Sequence, residues 1–191
     1  MESVEALQQQ LEKLQVMSPQ SAAEFTHQQL GLRCCELALQ GLQQGCYGVG
    51  AVLTDGQQSI VAEGVNRVFS AGYHSSAHAE MQLLDAFERT YRDYGDRSEL
   101  TLMVSLEPCP MCLVRSMLAG IGHIRYLVAD ADGGMVSRLE KLPPAWRNLA
   151  SLQSHHLAHI SPELRQLSTA LASYDLAAMR KKVMANIRGQ D

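Results

Sequence analysis

Four side chains sit at spacings that suit chemistry. His78 and Glu80 lie two apart in S-A-H-A-E-M, residues 76–81, and Cys109 and Cys112 lie in S-L-E-P-C-P-M-C, residues 105–112. A C-x-x-C pair at a helix start lets two thiolates reach one ion, and the helix N-terminus favours their charge. Thiolate with imidazole suits zinc. His78 is expected to open the preceding helix. In a parallel βαβ arrangement both helix starts meet at one sheet edge, where α/β proteins place their sites. His78, Cys109 and Cys112 are therefore the expected zinc ligands. Three protein ligands leave a fourth position for water, as in catalytic sites. A carboxylate beside that water, here Glu80, suits a proton shuttle. Alone, His78 reads as a helix-end histidine and Glu80 as a first-turn carboxylate favoured by the dipole. A structural zinc or a redox pair is the alternative for the cysteines, and a structural site would need a fourth ligand such as Cys46.

The elements that must position these residues follow from periodicity. Residues 3 to 15 predict an amphipathic helix with Val4, Leu7, Leu11 and Leu14 on one stripe. This stripe is an interaction surface within the chain or an oligomer. A second helix is expected from about 18 to 44, stopped at Gly45. Residues 49 to 64 read as a hairpin about Asp55-Gly56. A polar loop follows at 65 to 76, and a helix at 77 to 94. The apolar run 100 to 106 predicts a central strand, 110 to 120 a helix and 124 to 129 another strand. Residues 131 to 153 suggest a loop with a short helix, and 155 to 160 a fifth strand. Ser161 reads as the N-cap of a final helix running towards Ile187. The fold class expected is α/β: a three-layer αβα sandwich. Its mixed five-stranded sheet opens on a hairpin and carries helices on both faces. The expected division is an N-terminal helix at 1–20, a catalytic unit at 21–160 and a C-terminal helix at 161–191.

The 191 residues are 46% hydrophobic and 19% charged, with a net charge of −4. That balance suits a globular domain and weakens a dedicated nucleic-acid binder. No apolar run approaches a membrane span, and the N-terminus lacks the pattern of a signal peptide, so the cytoplasm is the expected compartment. Five cysteines, an odd number, argue against a disulfide framework.

H-A-E at 78–80 with P-C-P-M-C at 108–112 resembles the cytidine-deaminase-like superfamily, whose signature is H-x-E followed by P-C-x-x-C. V-G-A-V-L-T-D-G at 49–56 and G-V-N-R-V at 64–68 extend the resemblance, which covers roughly residues 25 to 130. They are similar to the branch holding tRNA adenosine deaminases and bacterial guanine deaminases. The resemblance implies that a metal-activated water attacks the amidine carbon of a nucleobase. Glu80 would take its proton, protonate a ring nitrogen and help ammonia leave. It also implies that Asn66 contacts the base, and that main-chain groups at Ala79 and around 105–108 frame base and nucleophile. Relatives often carry small residues after the second cysteine, and Arg115 departs from that. The ending after Asp130 resembles the guanine-deaminase type, with Pro144 to Trp146 as a Pro-x-Trp element. There an acidic residue can contact a purine: Glu140 by position, with Asp130 and Asp132 behind it.

Other residues have plainer alternatives. Asn66 reads as a turn residue, Glu140 as a solvated carboxylate, and Arg180 to Lys182 as a solvated helix end. Tyr73 and His74 are candidates for the pocket lining. His155, His156 and His159 read as strand residues rather than a metal cluster. Trp146 either closes the pocket or docks the C-terminal segment. The function expected is zinc-dependent hydrolytic deamination of a small nucleobase or nucleoside, guanine-like purines leading, by a homodimer or higher homo-oligomer. The alternatives are a tRNA adenosine deaminase, which needs a basic groove, a pyrimidine deaminase, and a non-catalytic zinc-stabilised partner.

Overall fold

The structure, a computed structural model, describes residues 2–16 and 24–189. The start of the expected second helix, at 18–23, lies outside them. Five strands form one sheet in the order β2-β1-β3-β4-β5. These are β1 (Gly50–Thr54), β2 (Ile60–Val65), β3 (Thr101–Val104), β4 (His123–Tyr126) and β5 (Ser154–Leu157). β1 runs antiparallel to β2 and to β3, while β3, β4 and β5 are parallel.

Central strands buried on both faces explain the near-continuous apolar runs. Along β1, Val52 packs into one core cluster and Ala51 and Leu53 into another; along β3, Met103 takes the first side and Leu102 and Val104 the second. The first face is covered by α1 (Val4–Gln15), α2 (Gln28–Gln43) and α6 (Pro162–Ser173). The second is covered by α3 (Ala79–Thr90). A third cluster joins α4 (Pro110–Leu118) to α5 (Pro144–Ala150). The fold is thus the expected three-layer α/β sandwich. Leu7 and Leu11 of α1 and Leu164, Leu167 and Leu171 of α6 share one cluster with α2. The stripe on α1 therefore packs within the chain, and the core continues across positions 20 and 160.

Three boundaries differ from expectation. The helix after the loop starts at Ala79 and ends at Thr90, where Tyr91 and Tyr94 turn back onto Phe87. β5 stops at Leu157, because His159 leaves the ladder to bond with His27: His159 N donates to Nδ1 at 2.8 Å, and His27 N to His159 O at 3.0 Å. The single C-terminal helix is two, α6 and α7 (Leu176–Arg188), broken at Asp175. Asp175 adopts a left-handed conformation at φ 42° and its carboxylate accepts from Ala178 N at 3.3 Å. Asp is among the few residues that tolerate this conformation, and it is a good N-cap.

Candidate active site

Both site helices break the usual rule for helix starts. The N-cap positions of α3 and α4 are His78 and Cys109, and neither side chain makes a capping hydrogen bond. Serine, threonine, asparagine or aspartate would ordinarily stand there. Pro110 supplies the preset φ of the first helical position of α4. Cys112 follows one turn in, and Glu80 is the second residue of α3. The cap positions carry ligands instead.

The two helix starts do meet. Cys109 Sγ lies 3.7 Å and Cys112 Sγ 3.5 Å from His78 Nδ1. Two ligands at zinc bond lengths and the tetrahedral angle would stand about 3.5 Å apart. Among the described residues, these three form the grouping whose donor atoms lie within 4.8 Å of one another. Cys46 lies elsewhere, accepting from Phe69 N at 3.3 Å, so no fourth cysteine closes the site. Hydrogen bonding from Cys112, and then from His78, pushes the Cys109 thiol down to about 4, against the effect of burial. Cys112 goes up, through its hydrogen bond to Cys109, burial and the nearby Glu80. The hydrogen bond with Cys109 also raises His78. The donor set and its negative charge fit zinc.

Glu80 is 4% exposed, and burial raises its carboxyl above the usual range. Gly64 holds α3 against β2. A Cβ there would stand 2.0 Å from Ala79 O and 2.8 Å from Leu83 Cβ, so glycine alone permits the approach. The cavity outside these groups has a volume of about 400 Å³, within the range of small-molecule sites. Asn66 and Glu80 line it, along with His78 and Cys109. Asn66 is 3% exposed, and its Oδ1 accepts from Val68 N at 3.2 Å. What it can offer a ligand is its amide N–H. Ala79 is fully buried and does not line the cavity. The main-chain groups at 105–108 are partly committed to the scaffold: Ser105 N donates to Gly50 O, Ser105 O accepts from Ser168 Oγ, and Glu107 N donates to Val128 O.

Glu140 is placed differently from expectation. It is exposed on the short 3-10 helix Val136–Lys141 and does not line the cavity, whereas Asp130 does. The cause is Glu107, a residue the motif reading passed over. Its buried carboxylate accepts from Asp130 N at 2.9 Å and Ser137 N at 2.7 Å. Asp130 Oδ1 in turn accepts from Asp132 N and Gly133 N. This clamp turns Asp130 to the cavity and sends Glu140 to solvent. An acid between an apolar strand and Pro108 was the available signal. Tyr73 and His74 are exposed in the loop and do not line the cavity. His155 bonds Gln153 at 3.1 Å and joins no metal grouping among the described residues. Trp146 neither closes the cavity nor docks the C-terminal segment: it packs beside α4 in the third cluster. Arg115 pairs with Glu88 of α3 at 2.5 Å, which accommodates its size between the two helices. The wall formed by Thr169, Ala172, Ser173 and Leu176 had no counterpart in the motif reading.

The model of the cytidine and deoxycytidylate deaminase zinc-binding region matches residues 25–128. The chain belongs to this family of zinc deaminases. It is 36% identical over 107 residues to tRNA(Ile)-lysidine synthase of Deinococcus radiodurans, covering 56% of this chain. The match spans about a fifth of that curated relative's length, 18%. Among solved structures, a tRNA:A34 deaminase of A-to-I editing superposes with a TM-score of 0.60 at 21% identity, over 72% of this chain and 94% of that one. Guanine deaminase from Nitrosomonas europaea superposes with a TM-score of 0.57 at 21% identity, over 75% of this chain and 82% of that one. At these identities the superpositions establish the fold.

Proposed function

We propose that the chain is a zinc-dependent hydrolytic deaminase of a small nucleobase or nucleoside, with a purine such as guanine as the favoured substrate. The observation that carries this reading is the cavity beside the metal ligands. Glu80, Glu107 and Asp130 line it, and no lysine or arginine does among the described residues. A phosphate would meet three carboxylates there and no lysine or arginine, so an uncharged ring is favoured over a nucleotide. Bound zinc supplies a Lewis acid that makes a water nucleophilic at neutral pH. His78, Cys109 and Cys112 would hold it. Glu80, buried and with a raised affinity for protons, would take one proton from the attacking water and give it to a ring nitrogen, then take the proton of the new hydroxyl and give it to the leaving amine, so that ammonia departs as the carbonyl forms. The Asn66 amide donates to an acceptor on the ring edge. Asp130, whose second carboxylate oxygen stands outside its turn, accepts from a ring N–H or an exocyclic amine. Glu140 would contribute no contact.

A tRNA adenosine is the second reading. It draws on the exposed Arg180, Lys181 and Lys182 of α7, of which Lys182 lies over Phe69, a neighbour of the cavity-lining Tyr47. Ammonia release by the zinc-loaded protein decides between them, from guanine, adenine, cytosine, their nucleosides and an anticodon hairpin. Release from a free base or nucleoside is expected, with Glu80→Ala slower by about 100-fold or more and zinc retained. Release from the hairpin alone selects the second reading, and an unchanged rate in Glu80→Ala removes the glutamate from the chemistry.

A further inference from the structure

We infer that the elbow between α6 and α7, residues 169–176, selects the substrate of this site by size and charge. The inference rests on the deaminase reading for the identity of the reaction, and on the cavity wall for the rest. The family region ends at residue 128, so α6 and α7 lie beyond it. Even so, Thr169, Ala172, Ser173 and Leu176 line the same cavity as Glu80, His78 and Cys109. The zinc ligands and Glu80 belong to the family region, and the opposite wall comes from helices that follow it.

The wall is firmly seated. A Cβ on Gly48 would stand 2.3 Å from Leu171 O, so the end of α6 rests directly on the loop that carries Tyr47 and Val49 to the cavity. Ser168 Oγ donates to Ser105 O at 2.7 Å, joining α6 to the end of the central strand. Beyond the left-handed Asp175, α7 is anchored by Lys182, whose Nζ donates to Gly45 O at 2.8 Å and stands 5.2 Å from the centre of the Phe69 ring.

Its chemistry is selective. Thr169 Oγ1 donates to Arg165 O at 2.9 Å, and Ser173 Oγ to Thr169 O at 2.8 Å. With their protons spent inside the helix, both hydroxyls offer a ligand only lone pairs. Ala172 adds a small apolar surface, and Leu176 a large one that is 49% exposed at the rim. Such a wall accepts an apolar edge or an N–H group and gives a phosphate nothing to bind. Ala172 sets how much the ring can carry, because any larger side chain there takes volume from the cavity.

The test uses the full-length, zinc-loaded protein. Kinetics are measured on the best substrate of the ammonia panel, and binding on 2,6-diaminopurine and guanosine monophosphate. Ala172→Phe is expected to raise KM and weaken 2,6-diaminopurine binding by about tenfold, with a smaller effect on kcat. Leu176→Lys is expected to tighten guanosine monophosphate by up to about fivefold. Gln166→Phe, on an exposed part of α6 outside the cavity, serves as the control. All three positions are at least partly exposed on helices, so zinc content and unfolding midpoint should hold. If Ala172→Phe matches Gln166→Phe in both KM and affinity, the elbow takes no part in selection. If the wild type binds 2,6-diaminopurine but releases no ammonia from any panel member, the deaminase reading falls while the binding comparison still judges the elbow. Neither binding nor turnover overturns both.

Discussion

His78 and Cys109 stand where a helix ordinarily places a capping side chain, and the absence of caps marks the site. A local rule broken twice, on two helices that converge, is the pattern expected where function competes with stability. Their placement depends on small residues as much as on the ligands. At Gly64 the approach of β2 to α3 leaves no room for a methyl group. Gly64→Ala should therefore push the first turn of α3, with His78 and Glu80, away from the cysteines. The expected cost is about 1–3 kcal/mol, with weaker zinc retention. Denaturant unfolding and zinc content after dialysis measure both, and normal zinc retention would show that the turn adjusts without disturbing the ligands.

Between elements, the strongest polar tie near the site joins α3 to α4. Arg115 bonds Glu88 through both guanidinium nitrogens, at 3.1 and 2.5 Å, and Arg97 adds a contact to the same carboxylate at 3.4 Å. The Arg115 hydrogen bond holds the Glu88 carboxyl below the usual range. A carboxyl that is more acidic in the folded chain contributes its stability fully above the ordinary glutamate value, and loses it as pH falls through the lower folded value. With the Glu88 side chain 33% exposed, solvent screening limits the tie to about 1 kcal/mol or less. Wild type should exceed Glu88→Gln by that amount near neutral pH, and the two should converge in acid, once the pH has fallen below the depressed folded value. Parallel melts across this range test it; a difference that persisted in acid would mean the carboxylate charge is not its source.

On the scale of the molecule, an apolar face lies behind the metal centre. Met81, Met111, Val114 and Trp146 border it, with Leu118 64% exposed. We propose that homo-oligomers, expected from the family resemblance, form through this face. Leu118→Glu should lower the mass measured by light scattering while leaving zinc content intact. An unchanged mass would place any contact elsewhere, and a monomeric wild type would dismiss the assembly. No helix among the described residues is long and apolar enough to cross a membrane.

The metal-binding trio, the placement of Glu80 beside it and the order of the strands were legible in the chain itself. Each depends on local spacing: C-x-x-C at a helix start, H-x-E at another, and strand runs buried on both faces. The far side of the cavity was not legible. Thr169 and Leu176 reach Glu80's cavity only because α6 packs over the sheet and Asp175 turns the chain. Glu107 redirects residues 130–140 through two backbone hydrogen bonds more than twenty positions away, which no local pattern encodes. Short-range geometry is written in neighbouring residues, and it determined the chemistry. The space left for a substrate is what remains after distant elements pack, so only the tertiary structure decided it.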